Sequence, residues 1–160
     1  MKIYAGIGSR KTPKGVLEMM ERTASRLART GWILRSGGAE GADSAFERGC
    51  NHAGGQKQIF RARDAKKWAF VEAEKHMPAN RPPFKTWKPY VRGLIARNMM
   101  QILGENGDSP VNVVLCWTPA KIKDGGGTGY AIRCALSRSI SVYNLNEVDL
   151  QKFINKAFGE

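Results

Sequence analysis

Apolar positions along the chain follow two periods in turn. "KIYAGIG" (residues 2–8) is a short apolar run that predicts a buried strand. Val16, Leu17, Met20, Ala24, Leu27 and Ala28 then recur at the three-to-four-residue spacing of a helix face. Thr12-Pro13 has the form of an N-cap with proline at the first helical position, and Gly31 suits a C-terminal stop. "WILRSGG" (32–38) predicts a second strand and "KQIFRA" (57–62) a third; between them Ala42, Ala45, Phe46, Gly49 and Cys50 give a helix a face of small residues. The rhythm resumes with a helix over about 90–103, where Val91, Leu94, Ile95, Asn98, Met99 and Ile102 share a face. "VNVVLCW" (111–117) is the most strand-like run of all. Ala131, Ile132, Ala135 and Leu136 mark another helix, "ISVYNL" (140–145) another strand, and Leu150, Phe153, Ile154, Ala157 and Phe158 a closing amphipathic helix.

Strands alternating with helices imply parallel strands joined by right-handed crossovers. The expected fold is therefore α/β: a Rossmann-like three-layer sandwich with a mainly parallel sheet and helices on both faces. "VNVVLCW", apolar at nearly every position, fits a strand covered on both faces. At 160 residues the chain is expected to form one domain, 1–160.

One region breaks the alternation. Residues 57–92 hold ten basic side chains against Asp64, Glu72 and Glu74, which accounts for +7 of the chain's net +12. Pro78, Pro82, Pro83 and Pro89 forbid a continuous helix there, so a surface loop or flap is expected as an insert over about 62–90. Aromatic side chains are interleaved with the charge. Trp68, Trp87 and Tyr90 among Lys66, Lys67, Lys85, Lys88 and Arg92 would suit single-stranded DNA or RNA, with bases stacked on the rings. The alternative is that the aromatics pin the insert to the sheet. A net charge of +12 is compatible with a polyanionic partner or with a phosphate-bearing small ligand, and does not choose between them.

Other classes recede. No apolar run is long enough to span a membrane and no leader precedes the first strand, so a cytoplasmic protein without membrane contact is expected. Cys50, Cys116 and Cys134 are odd in number, scattered and set among apolar neighbours, which predicts buried free thiols in a reducing compartment. His52 and His76 belong to no Cys/His cluster at ligand spacing, so no metal site is expected.

Chemistry concentrates in three glycine-bearing turns: "GIGSR" (6–10), "SGGAEGAD" (36–43) and "DGGGTGYA" (124–131). Each follows a predicted strand and opens a helix. In a parallel sheet all three lie at the carboxyl edge, where α/β proteins bind ligands, and a helix N-terminus with bare backbone accepts anions such as phosphate. None completes a dinucleotide fingerprint, since Lys11 stands where the third glycine belongs, and none ends as a P-loop. Arg10 is placed for phosphate or for solvent. Asp43 is placed for the helix dipole or for a ribose hydroxyl, and Glu40 and Glu47 lack a partner carboxylate for acid–base work. Asn98, within an apolar stripe, must be hydrogen-bonded and braces either a ligand loop or the core. Arg97 can reach the rim, and Tyr130 either stacks on a base or packs.

Taken in order, "GIGSRKTP", "SGGAEGADSAFE", "ARN" (96–98), "VVLCWTP", "GGGTGYAIRCA" and "ISVYNL" resemble the SLOG superfamily of Rossmann-like proteins. That superfamily includes the DNA-processing protein A family and the LOG, or lysine decarboxylase-like, phosphoribohydrolases. The chain looks most like the small stand-alone relatives of DNA-processing protein A found in bacteriophages and mobile elements, with the insert matching least. The resemblance implies that Gly8, Ser9, Arg10, Ser36, Gly37, Gly38, Gly41, Asp43, Arg97, Asn98, Gly126, Gly127, Thr128, Gly129 and Tyr130 line a pocket for a nucleotide-derived ligand, such as an ADP-ribose derivative or a nucleoside phosphate. No further cofactor is implied. A LOG motif, Pro-Gly-Gly-x-Gly-Thr-x-x-Glu, aligned on Thr128, puts Ala131 at the catalytic glutamate and Lys123 at the proline. The balance therefore falls toward binding, with single-stranded nucleic-acid binding and LOG-like N-glycosidase activity as alternatives and no catalytic residue assigned. The small-residue face of the second helix leaves homo-oligomerisation open.

Overall fold

The computed structural model describes residues 2–119 and 126–159. Strands β1 (Ile3–Gly8), β2 (Ile33–Ser36), β3 (Lys57–Ile59), β4 (Val113–Trp117) and β5 (Ser141–Asn144) form one sheet in the order β3-β2-β1-β4-β5, with every pairing parallel. Helices α1 (Lys14–Arg29), α2 (Ala42–His52) and α6 (Leu150–Phe158) supply Met20, Phe46 and Phe153 to the core on one face. Helices α3 (Lys67–Glu74), α4 (Pro89–Leu103) and α5 (Gly127–Ser137) supply Ala73, Met99 and Ile132 on the other. This is the Rossmann-like sandwich the alternation predicts. Among the described residues no helix is long and apolar enough to cross a membrane.

The pleat explains which side chain goes where. Ile3, Ala5 and Ile7 face α3–α5, whereas Tyr4 faces α1 and α2. Gly6 shares the face of Tyr4, and an added Cβ there would stand 2.6 Å from the Phe46 ring, so α2 sits hard against β1. An isolated helix of 11 residues is marginal in water. Burial of Phe46, at about 2–3 kcal/mol for such a side chain, is what holds α2 in place. The small-residue face of α2 is spent inside the chain: a Cβ on Gly49 would lie 2.0 Å from the Glu21 carbonyl of α1. It is a helix crossing and presents no surface to a second copy.

Local expectations are corrected at three points. Pro13, not Thr12, takes the cap position of α1, and the Thr12 hydroxyl donates to the Ser9 carbonyl instead (2.6 Å). The third strand ends at Ile59, because the chain turns at once into a 3-10 turn, Ala62–Asp64. The insert is not a free flap: it contains α3 and a second 3-10 turn, Phe84–Thr86, and it is pinned to the sheet. Phe84 is buried, Trp87 meets Phe84 and Tyr130 edge-on, and the Trp68 and Trp87 indole N–H groups donate to the carbonyls of Glu105 (2.9 Å) and Pro82 (3.0 Å).

Where α3 of the insert meets the C-terminal end of α5 lies an ionic knot, buried at Glu72, nearly so at His76 and open to solvent at Arg138. Glu72 accepts from Arg138 Nη2 (2.8 Å) and Nη1 (3.0 Å), and its Oε2 is 2.8 Å from His76 Nε2. The Arg138 guanidinium, with help from His76, holds the Glu72 carboxyl at about 2 against the upward pull of burial. Cys134 adjoins it, so Glu72, His76 and Cys134 bring ligand-type atoms within 4.8 Å of one another, a grouping their sequence spacing hides. Their chemistry favours an anchor over a cation site: both Glu72 oxygens are engaged, and burial pushes the Cys134 thiol up to about 12. The three cysteines are buried and free.

Candidate functional site

The strand order reverses between β1 and β4, and a crevice of about 650 Å³ opens outside their carboxyl ends. Ile7, Gly8 and Ser9 come from the end of β1, and Thr118 and Pro119 follow β4. Val91, Leu94 and Arg97 project from α4, and Gly126–Thr128 open α5. A narrower arm of about 380 Å³ continues between the second turn and the start of the insert, walled by Gly37–Glu40, Arg61, Ala62 and Arg63. Arg10, Ala39, Tyr90, Leu94 and Arg97 border both spaces.

Two adjacent residues of α4 tie the turns together. The Arg97 guanidinium is 8% exposed, and its Nη1 donates to the carbonyls of Gly37 (2.8 Å) and Phe60 (2.9 Å). Its Nε donates to Asn98 Oδ1 (2.8 Å), and Asn98 Nδ2 donates to the Gly127 carbonyl (2.8 Å). Of the two roles open to Asn98, the structure selects bracing of the third turn. Arg97 Nη2 has no hydrogen-bond partner among the described residues, although the side chain borders both spaces.

Asp43 closes the first two turns from below. Its carboxyl is buried and accepts from the Ala39 N–H (3.3 Å), with the N–H groups of Gly8 and Gly37 also directed at it. Burial raises its pKa to about 6, although the Arg97 charge and those N–H groups pull the other way. The expected anion cradle of the second turn is therefore already filled by the chain's own carboxyl. The α2 N-terminus is also taken: Ala42 N–H points to the Ser9 carbonyl (3.5 Å), and Ser44 N–H and Oγ both donate to the Ala39 carbonyl.

This revises why glycine is needed. A Cβ on Gly41, whose φ is +89°, would stand 2.6 Å from the Ser9 carbonyl, and one on Gly8 would stand 2.8 Å from the Trp117 carbonyl. Both glycines admit the protein's own backbone. A Cβ on Gly37 would lie 2.5 Å from Arg97 Nη1, and one on Gly38, at φ +71°, 2.7 Å from Arg61 Nη1. The Gly-Gly pair makes room for two guanidinium groups, one beneath and one beside the turn. At Gly126, by contrast, an added Cβ meets open space, and at Gly127 its nearest neighbour is Asn98 Nδ2 at 3.4 Å. The start of α5 is thus the turn whose backbone stays bare toward the crevice.

Of the residues anticipated for the pocket, Gly8, Ser9, Arg10, Gly37, Gly38, Asp43, Arg97, Asn98, Gly126, Gly127 and Thr128 line it. Ser36 does not: it is buried, and its hydroxyl donates to the Gly6 carbonyl (2.6 Å), joining β2 to β1. Gly41 and Gly129 lie behind the lining. Tyr130 packs under the insert, its hydroxyl donating to Met77 Sδ (3.6 Å) and its ring covered by Arg133 at 4.5 Å, so it offers no face to a base. Ala131 is buried inside α5. Lys123 lies outside the described residues.

The residues considered for nucleic acid are spread along the length of α4. Lys66 contacts Asn106 and Glu105 beyond the C-terminal end of α4, whereas Lys88 caps its N-terminal end, about 22 Å away along the 15-residue helix. Trp68 lies against Gly107, and Arg92 Nε donates to the Trp87 carbonyl (3.2 Å). Lys67, Lys85 and Lys88 are exposed.

Sequence reasoning missed Arg61, Arg63, Tyr90 and Leu94 as pocket residues, because they belong to the insert or its junction with α4. Tyr90 is 67% exposed at the point where the two spaces meet. Among the described residues Arg10, Arg61, Arg63 and Arg97 form no ion pair with any carboxylate. Asn144 was missed as well: its side chain binds both the N–H (3.1 Å) and the carbonyl (3.4 Å) of Thr118, which fixes the rim after β4.

No family model matches the chain, and no curated protein matches it. Among solved structures, it is similar to the X-ray structure of DNA processing protein A from Streptococcus pneumoniae, with 15% sequence identity and a TM-score of 0.48. The match covers 92% of this chain and 62% of that one, so the chain spans less than two thirds of that protein.

Proposed function

We propose that the protein binds a nucleotide-derived ligand, of the nucleoside-phosphate or ADP-ribose type, in the crevice at the carboxyl ends of β1 and β4. The observation that carries this reading is a buried arginine, Arg97, held rigid by two carbonyls and Asn98 while its Nη2 has no hydrogen-bond partner among the described residues that border the crevice. An arginine fixed in this way at a strand-order reversal is pre-organised for a phosphate oxygen. Tyr90, Val91, Leu94, Ile7 and Pro119 add an apolar wall suited to a base or sugar face. Binding is favoured over N-glycosidase chemistry because Ala131 is buried and without a carboxylate. The single-strand alternative is weakened by the packing of Trp68 and Trp87.

The test is thermal denaturation with AMP, ADP, ADP-ribose and a labelled single-stranded oligonucleotide, together with mass spectrometry of small molecules carried through purification. A ligand at a hundred times its Kd stabilises by about 2.7 kcal/mol, or roughly 5–10 °C in a chain of this size. At least one nucleotide is expected to reach that shift, and Arg97→Lys is expected to reduce it. Silence from all three nucleotides overturns the reading. An oligonucleotide response that falls steeply with salt, without a nucleotide response, replaces it with the single-strand alternative.

A further inference from the structure

Among the described residues, the narrow arm of the crevice gathers more positive charge than it pairs. Arg10, Arg61, Arg63 and Arg97 border a space of about 380 Å³ with no ion pair to any carboxylate among the described residues; burial disfavours the charge on Arg97 most, Asp43 favours it, and Arg61 and Arg10 each oppose it. Glu40, exposed at the rim, is the one acidic residue lining the arm among the described residues. Guanidinium groups gathered like this repel one another, and anions that bridge them convert the repulsion into bidentate bonds. Gly38 admits the Arg61 guanidinium beside the second turn, so the gathering is built into the backbone.

We propose that this arm is a subsite for two adjoining phosphates, and that Arg61 and Arg63, at the entry to the insert, bind the second of them. The inference rests on the nucleotide reading above and specifies it: the ligand carries a pyrophosphate rather than a lone phosphate. Arg97 and Arg10 take the first phosphate where the two spaces meet. Tyr90, at the same junction, packs against the nucleoside part in the wider crevice. A single phosphate pairs with Arg10 and Arg97 and leaves Arg61 and Arg63 without an anion, whereas a second, adjoining phosphate reaches them.

Isothermal titration of AMP, ADP and inorganic pyrophosphate into the whole chain tests this, using wild type, Arg61→Gln and Arg63→Gln. Arg61 and Arg63 are exposed and have no side-chain partner among the described residues, so both variants are expected to melt with the wild type. Wild type is expected to bind ADP at least about tenfold more tightly than AMP. Arg61→Gln should lose most of that preference while leaving AMP affinity within about twofold, since it acts on the second phosphate alone. Equal wild-type affinity for ADP and AMP overturns the proposal while leaving the nucleotide reading intact, as does an equal loss of both ligands in Arg61→Gln. If no nucleotide binds but pyrophosphate does, in an Arg61-dependent way, the subsite stands and the nucleotide reading falls. If neither binds, both fall.

Discussion

Two charged clusters occupy the α3–α5 layer, and they differ in one respect. In the knot between α3 and α5, Glu72 satisfies Arg138 bidentately and meets His76, so the charges close on themselves. At the crevice, four arginines converge, Glu40 stands exposed at the rim, and the buried Asp43 carboxyl is turned toward the backbone N–H groups of Gly8, Gly37 and Ala39. Charge with its partner in place fastens elements together, whereas gathered charge without one is what the proposed ligand would complete. The same residue type stands on both sides of that contrast.

The sharpest way to break this contrast is to remove the partner from the closed cluster. Glu72→Ala leaves Arg138 and His76 without their carboxylate and should destabilise the fold by about 2–3 kcal/mol, since Glu72 is buried while Arg138 is partly in water. Chemical denaturation should show this loss while ligand affinity stays within about twofold, because the sites share no partner.

A pH titration of stability comes next, since the two carboxyl groups act in opposite senses. Glu72 sits at about 2, below its ordinary 4.5, so the unfolded chain binds more protons between those values. Its contribution is complete above pH 4.5 and is lost as pH falls toward 2. Asp43 is raised from 3.8 to about 6, so between those values the folded chain holds a proton that the unfolded chain has released. Stability then falls as pH rises through that window, by up to about 3 kcal/mol. Denaturation across the acid range should show the rise disappear in Glu72→Gln and the fall disappear in Asp43→Asn.

A smaller effect should follow from Arg97→Lys, which keeps the charge and loses the planar fork. Two carbonyls and Asn98 lose a fixed partner, at a cost of about 1–3 kcal/mol. Smallest of all, a few millimolar pyrophosphate should stabilise the wild type by about 1 kcal/mol more than chloride at equal ionic strength, and calorimetry should show that gain vanish in Arg61→Gln.

Much of this could be read before any coordinates. The strand and helix periods specified the elements. "VNVVLCW" contains an interior strand buried at each position, and "ARN" holds both residues that join the second turn to the third. What misled was local plausibility. Ser36 and Tyr130 are good ligand residues by type, yet Ser36 is taken by the Gly6 carbonyl and Tyr130 by Met77. Trp68 and Trp87 among lysines suggested a stacking surface, but neither an indole nor a charge in sequence discloses which way it faces. Arg61 and Arg63 were counted as part of a basic insert and not as walls of the crevice, because only the turn at Ala62–Asp64 brings them to Gly38.

The sequence by itself determined the elements, their parallel arrangement and the meeting of three glycine-bearing turns at one sheet edge, since hydrophobic periodicity and chain connectivity are local and directional. It could not determine which polar groups at that edge remain free. A backbone N–H or a guanidinium is available only if the fold sets no partner opposite it, and those partners come from residues far along the chain. Tertiary structure set Asp43 against the N–H groups of the first two turns and, among the described residues, left Arg10, Arg61, Arg63 and Arg97 without an ion pair.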